Sequence, residues 1–312
     1  MDYLLHAFHI IILVFWIRLW SASPNEFHFN PFLSGTVRAT DAVLAFLRPV
    51  LFLPEQAAAL AVLLFTLLFK TMLFWKVFGG FGGGWVLSIG LLSEDRLFAF
   101  APRVADGQFA PLLLFSALQA AAFIIRLWTV YLLVRLITPA SRVTRATDAL
   151  AYFSRPFSRL PFFTQPFLLL GLHAALALIL TRTCALAIAR PIQEAAGHPA
   201  TAASPFLAGP FYAQVMKTGW LAAISFADGL KLMMNALLVM ILCNIAAMLL
   251  QLRGTSIISS EGIELLLGRF ARRNPSSMGI DFTPLIFIFV VNIAYGSVCQ
   301  VLYSLITSPI LN

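Results

Sequence analysis

Residues 109–137 read FAPLLLFSALQAAAFIIRLWTVYLLVRLI, a run in which Arg126 and Arg135 are the only charged side chains. About 20 apolar residues, at about 1.5 Å of rise each, cross a hydrocarbon layer of about 30 Å as a helix. This run is long enough to tilt or to continue past the bilayer. Five further stretches have the same character: 3–20, 55–78, 163–187, 229–252 and 283–307. Lipid offers no partner to backbone N–H and C=O groups, so each stretch is expected to be a helix. The expected fold is all-α, a polytopic transmembrane protein of about six spans.

Composition agrees. Of 312 residues, 60% are hydrophobic and 11% charged, against roughly 45–50% and about 25% in soluble domains. Mean hydropathy is +0.90. The apolar residues come in blocks, which need lipid to cover them. Cys184, Cys243 and Cys299 all fall in candidate spans without CxxC spacing, so buried apolar thiols are expected. The apolar run from Leu4 to Trp16 has Asp2 before it and Arg18 after it, the wrong order for a cleaved signal. It is read as an uncleaved helix.

Net charge is +8, and its placement sets orientation. The first, third and fifth inter-span segments hold ten arginines: Arg38, Arg48, Arg142, Arg145, Arg155, Arg159, Arg253, Arg269, Arg272 and Arg273. The second and fourth hold four basic residues, Arg96, Arg103, Arg190 and Lys217. The positive-inside rule places the odd segments in the cytoplasm and both termini outside. Within the even segments, 79–84 reads GGFGGG, and 205–226 is apolar but interrupted by Pro210, Lys217 and Gly219. The latter is expected to be interfacial or partly re-entrant, with an extra short helix as the alternative.

The outer part of the 109–137 run contains an echo. IRLW occurs at 17–20 and again at 125–128. Downstream, 38–49 read RATDAVLAFLRP and 145–156 read RATDALAYFSRP, matching at eight of twelve positions. A third, weaker copy keeps one spacing: Arg48, Arg155 and Arg269 each stand six residues before a proline, Pro54, Pro161 and Pro275. The expected unit is helix, amphipathic helix, Arg/Pro turn, helix, repeated over 1–108, 109–228 and 229–312. In the first copy Ala39, Val43, Phe46 and Leu47 share a face opposite Arg38, Asp41 and Arg48, which suits a helix lying in the membrane interface. Arginine can reach phosphates while its stem stays apolar, and proline ends the helix and turns the chain inward. In the third copy Asp281 or Thr283 can cap a span, with Pro284 in its first turn.

The stretch GRFARRNPSSMGIDFTP at 268–284 is similar to the Arg/Pro segment of the YggT/YlmG family, and EFHFNPF at 26–32 resembles the Asn-Pro-Phe stretch after that family's first helix. The resemblance covers about two thirds of the chain and carries three repeats where relatives usually have one or two. It implies a multi-pass protein of a bacterial cytoplasmic membrane. It also implies association with envelope or cell-division functions, osmotic tolerance, or the assembly of other membrane proteins.

Reactive chemistry is scarce. No GxSxG, HExxH or P-loop pattern occurs, and the glycine run lacks a following Lys-Ser/Thr. No acid is expected well inside a span; Glu55 stands at an edge. Lys70 and Arg182 are expected to snorkel outward, while Arg126 lies deeper and suits a backbone carbonyl, a lipid headgroup or a partner's carboxylate. His6 and His9 share a face, but the spacing of these and His173 supplies no opposed metal or haem ligands. Asn235, Asn244 and Asn292 are expected to bond between helices.

The expectation is therefore a non-enzymatic membrane scaffold or assembly factor, without cofactor or metal. Its partners would be anionic lipids and other integral membrane proteins or further copies of itself, and not nucleic acid. The arginines Arg48, Arg126, Arg155, Arg159, Arg269, Arg272 and Arg273 would form the lipid- or partner-binding set. A transporter or channel linked to osmotic balance is the alternative. The orientation makes one direct prediction. A single cysteine at Arg272 should be shielded from an impermeant thiol label in intact cells, and one at His198 should react; the reverse pattern would overturn the assignment.

Overall fold

The computed structural model describes residues 2–20, 30–51, 54–76, 98–100, 109–138, 144–183, 186–188, 211–268, 270 and 283–306. The chain is all-α apart from one small strand pair. In order come α1 (Asp2–Trp20), α2 (Pro31–Leu51), α3 (Glu55–Lys76), α4 (Phe109–Ile137), α5 (Arg145–Phe153), α6 (Thr164–Thr183), α7 (Phe211–Leu249), α8 (Arg253–Leu267) and α9 (Thr283–Ile306). Strands β1 (Phe98–Phe100) and β2 (Leu186–Ile188) pair antiparallel. Three stretches are long and apolar enough to cross a membrane: Glu55–Leu73, Leu112–Ile137 and Phe211–Leu249. Shorter apolar helical stretches occupy Ala7–Trp20, Thr164–Ile179 and Thr283–Val298.

The helices form a bundle built around α4 and α7. Helix α4 packs on α3, α6 and α7, and α7 packs in addition on α6, α8 and α9; α1 lies along α3. At one end α2, α5 and α8 meet: α5 touches α2 on one side and α8 on the other. The C-terminal ends of α1, α4 and α7 all lead to this layer. The Trp20 carbonyl accepts from Arg155 Nη1 at 3.3 Å, and the Trp16 indole N–H donates to the Arg155 carbonyl at 2.9 Å. Asn30 Nδ2 donates to the Arg145 carbonyl at 2.8 Å, joining the starts of α2 and α5.

Local chemistry sets the ends. Thr144 caps α5 by a reciprocal box with Thr147. Past α5, Ser158 Oγ donates to the Ala151 carbonyl at 2.6 Å, and Gln165 Nε2 donates to the Leu160 carbonyl at 3.0 Å. These bonds hold the turn containing Pro161 against α6. Pro54 precedes α3 and Pro284 is the second residue of α9, positions where a missing N–H costs nothing. Pro275 and Asp281 lie outside the described residues. Gly268 closes α8 at φ +54, and an added Cβ there would stand 2.8 Å from the Ile137 carbonyl oxygen. Only glycine fits that conformation and that approach.

Several expectations change. Helix α7 is continuous from Phe211, so the part of 205–226 from Phe211 onward is neither re-entrant nor a separate helix, and the 228/229 boundary lies inside it. Its polar side chains turn inward, which is why the stretch reads as a broken loop. Lys217, counted with the loop charges, is one of its buried residues. Cys243 is exposed on α7 rather than buried; Cys184 and the side chain of Cys299 lie outside the description. In α2 the buried residues are Leu33, Val37, Thr40 and Leu44, whereas Val43 and Phe46 are 39% and 70% exposed. The helix thus has three faces: one packed on protein, one apolar and exposed, and one bearing Arg38 and Asp41.

Helices α4 and α7 pack tightly at Gly229, where an added Cβ would meet Thr129 Cγ2 at 2.6 Å. Gly229→Ala should therefore force the helices apart and lower stability by about 1–3 kcal/mol. Gly171→Ala, on α6 with no heavy atom within 4 Å of the new Cβ, should be neutral or stabilising by roughly 0.5–1 kcal/mol. Thermal unfolding in mild detergent checks both; equal effects would exclude a tight α4–α7 contact.

A buried polar centre among α4, α6, α7 and α9

The middle of the bundle is polar. Arg126 on α4 is 1% exposed, and its Nη2 donates to Asp228 Oδ2 on α7 at 2.5 Å. Tyr295 Oη on α9 donates to the other carboxylate oxygen, Asp228 Oδ1, at 2.8 Å. Lys231, one turn along α7, places its ammonium 5.2 Å from the Tyr295 ring centroid. The bidentate use of Asp228, by a cation and a phenol, satisfies both of its oxygens and ties three helices.

Beside the ion pair, His173 on α6 is held at both ring nitrogens. Nε2 lies 3.0 Å from Thr129 Oγ1 and Nδ1 lies 3.0 Å from Ser225 Oγ. Thr129 Oγ1 donates its only proton to the Ile125 carbonyl at 3.0 Å, so it accepts from His173 Nε2–H. In the neutral imidazole Nδ1 then accepts from the Ser225 hydroxyl. His173 is itself buried.

The same helix face carries more polar groups. Lys217, Ser225, Asp228, Lys231 and Asn235 are all buried on α7. The Asn235 amide nitrogen has no hydrogen-bond partner among the described residues. Two further polar ties lie outside this centre. Lys70 Nζ on α3 donates to Gln119 Oε1 on α4 at 2.7 Å, with Lys70 fully buried. Arg18 at the end of α1 pairs with Asp41 of α2 and stands 3.4 Å from Glu55 Oε1 of α3.

The sequence-derived residues distribute unevenly. Arg126 is deep, as expected, but its partner is a carboxylate of its own chain. Asp228, one residue before the start of the fifth expected span and in a stretch that reads as loop, is a buried acid in the middle of α7. Lys70 does not snorkel; it bonds inward to Gln119. Arg155 is half-buried, with its guanidinium 3.8 Å from the Tyr152 ring centroid and bonded to Trp20. Arg159 is exposed. The side chains of Arg48, Arg182, Arg269, Arg272 and Arg273 lie outside the description, as does that of His6. His9 stacks on Phe123 at 5.0 Å, and Asn244 accepts from Ser256 at 2.9 Å between α7 and α8. Asn292 is exposed. Among the described residues, no three His, Cys, Asp or Glu side chains group as a metal site.

Comparison with protein-family models, curated proteins and solved structures finds no match to the chain.

The ion pair makes a thermodynamic prediction. Arg126→Leu leaves Asp228 charged in a dry interior and should cost about 3–5 kcal/mol. The double change Arg126→Leu with Asp228→Leu should cost clearly less, because neither charge is then stranded. A double-mutant cycle on unfolding in detergent checks this; additive losses would show that the two groups do not interact.

Proposed function

We propose that the chain is a non-enzymatic, multi-pass membrane scaffold or assembly factor. In this reading six apolar helices span the membrane, and α2, α5 and α8 lie at its cytoplasmic face. The observation that carries the proposal is the contiguous layer formed by α2, α5 and α8. Its supports are physical. Each of these three helices stands in the chain between two of the apolar ones, parallel to the recurring RATDA and Arg/Pro sequences. The α2 helix packs one face on protein and leaves Val43 and Phe46 outward beside Arg38, the arrangement of a helix seated among headgroups. Arg48, Arg159, Arg269, Arg272 and Arg273 belong by sequence to the same turns, where each basic residue near anionic lipid contributes about 1 kcal/mol. The likeness of 268–284 to the YggT/YlmG segment makes that family, and a bacterial cytoplasmic membrane, part of the proposal.

Outward-facing apolar side chains are numerous on the helices as well, among them Phe65 and Phe69 on α3, Phe167 and Leu170 on α6, and Phe289 and Val290 on α9. Such faces serve lipid, a second copy or another membrane protein. Purification of the full chain in mild detergent is the test. A stable partner or self-association, weakened by Phe46→Asp at an exposed position that packs on nothing, is expected. A monodisperse single chain with no partner, from native membranes, would overturn the scaffold reading.

A second reading, a transporter or channel, is favoured by one specific observation: the Arg126–Asp228 pair lies near the middle of α4 and α7. Ionisable groups inside spans face interiors or solute paths, and transporter sites sit near the midplane at repeat interfaces.

A further inference from the structure

The Arg126 guanidinium at the centre of the bundle already holds a carboxylate, that of Asp228. The planar fork of a guanidinium fits the two oxygens of a carboxylate. Asp228 can be neutralised by one proton. A protonated Asp228 no longer balances Arg126, and an unbalanced buried guanidinium is strongly unfavourable. A carboxylate arriving from outside restores the balance on the same fork.

The α7 face that carries Asp228 is polar on both sides of it. On α7, Lys217, Ser225, Asp228, Lys231 and Asn235 share the face buried in the bundle. From 217 to 235 is 18 positions, about 27 Å at about 1.5 Å per residue, close to the roughly 30 Å hydrocarbon thickness. Two lysines flank the pair, one on each side along the helix. Asn235 adds a buried amide nitrogen with no hydrogen-bond partner among the described residues.

We propose that Arg126 and Asp228 form a proton-coupled site for a small monocarboxylate, Asp228 taking the proton and Arg126 the anion. This rests on the transporter reading. The step balances in charge and atoms: one proton binds Asp228, the Arg126–Asp228 contact breaks, and one carboxylate binds Arg126. Reversal on the other side releases both, so each cycle moves one proton and one monoanion with no net charge. The groups that face Asp228 are consistent with this exchange. Helix α4 contributes Arg126 and α9 contributes Tyr295; His173 of α6 stands nearby, bonded to Thr129 of α4 and Ser225 of α7. Lys231 is buried one turn along α7, and Lys217 is buried farther along the same helix. Helix α8 packs farther along α7, at Met240 and Asn244, and its charges are Arg253, Glu261 and Glu264. Tyr295 can keep its hydrogen bond to either form of Asp228, which holds the carboxyl in place while Arg126 changes partner.

The test is uptake of labelled lactate by liposomes holding the purified full chain, with protein-free vesicles as the baseline. Acid outside should drive uptake above baseline, the accumulation ratio approaching about tenfold per unit of pH difference, since a pH unit is about 1.4 kcal/mol. Arg126→Lys keeps the charge but loses the fork, and should reduce uptake at least several-fold while thermal unfolding shows the protein folded. Asp228→Asn should still exchange lactate across the membrane but lose the dependence on the pH gradient. Chloride and glycerol are run alongside. If none of the three solutes crosses above baseline, the transporter reading itself fails. If chloride or glycerol crosses and lactate does not, that reading survives and the monocarboxylate site is overturned. Lactate uptake indifferent to the pH gradient, or unchanged in Asp228→Asn, overturns the proton coupling.

Discussion

The contact between α4 and α7 at Thr129, Gly229, Arg126 and Asp228 is the constraint on which the rest of the bundle depends. Lipid gives helices no hydrophobic reason to associate, so close packing and interhelical polar bonds must do it. Gly229 removes the Cβ that would otherwise strike Thr129, and the adjacent Asp228 then comes within reach of Arg126. Neither feature works alone. Without the small residue the backbones stand too far apart for the short aspartate to span the gap. Without the ion pair, two charges remain in a region that tolerates neither. The apolar cluster of Val130, Val134, Leu232, Met233 and Leu237 continues the same contact toward the layer of α2, α5 and α8.

Around this contact several buried cations join elements distant in sequence. Lys70 joins α3 to α4 through Gln119, and Arg18 joins α1 to α2 and α3 through Asp41 and Glu55. His173 joins α6 to α4 and α7 through two hydroxyls. Apolar surface is abundant everywhere in this chain and discriminates little between one helix pairing and another. Polar bonds that must be satisfied in a dry interior discriminate strongly, so they specify which helices are neighbours.

The sequence reveals the helices better than the site. Hydropathy places 109–137, 3–20 and 283–307 within a few residues of α4, α1 and α9, because long apolar runs have one reading. It starts the fifth stretch at Gly229 and misses 211–228, because Lys217, Gly219 and Asp228 interrupt the apolarity there. Gly219 is exposed, but Lys217 and Asp228 are buried, Asp228 against Arg126 of α4 and Tyr295 of α9, and hydropathy averages over the faces of a helix. The depth of Arg126 is legible from its place in the run. Its partner is not, since Asp228 lies 102 positions away and no local spacing connects them. The apolar face assigned to α2 is real but outward; protein covers Leu33, Val37, Thr40 and Leu44 instead, a distinction that periodicity cannot make when two adjoining faces are both apolar.

The two IRLW sequences show how equivalent residues come to serve different ends. Arg18 and Arg126 occupy the same place in that motif. Arg18 stands at the end of α1, where Asp41, half-exposed, and Glu55 of the following elements are close at hand. Arg126 stands eleven residues before the end of α4 (137 minus 126), too deep for Asp148, the counterpart of Asp41 in the second RATD. A guanidinium at that depth requires a carboxylate at the same depth, and the one that answers it comes from α7. A half-exposed ion pair that ties α1 to α2 thus has as its counterpart a buried pair that ties α4 to α7. The burial that makes this second pair a stronger tie also makes its charge balance strict, so that any proton or anion exchanged there must be exchanged together with its complement.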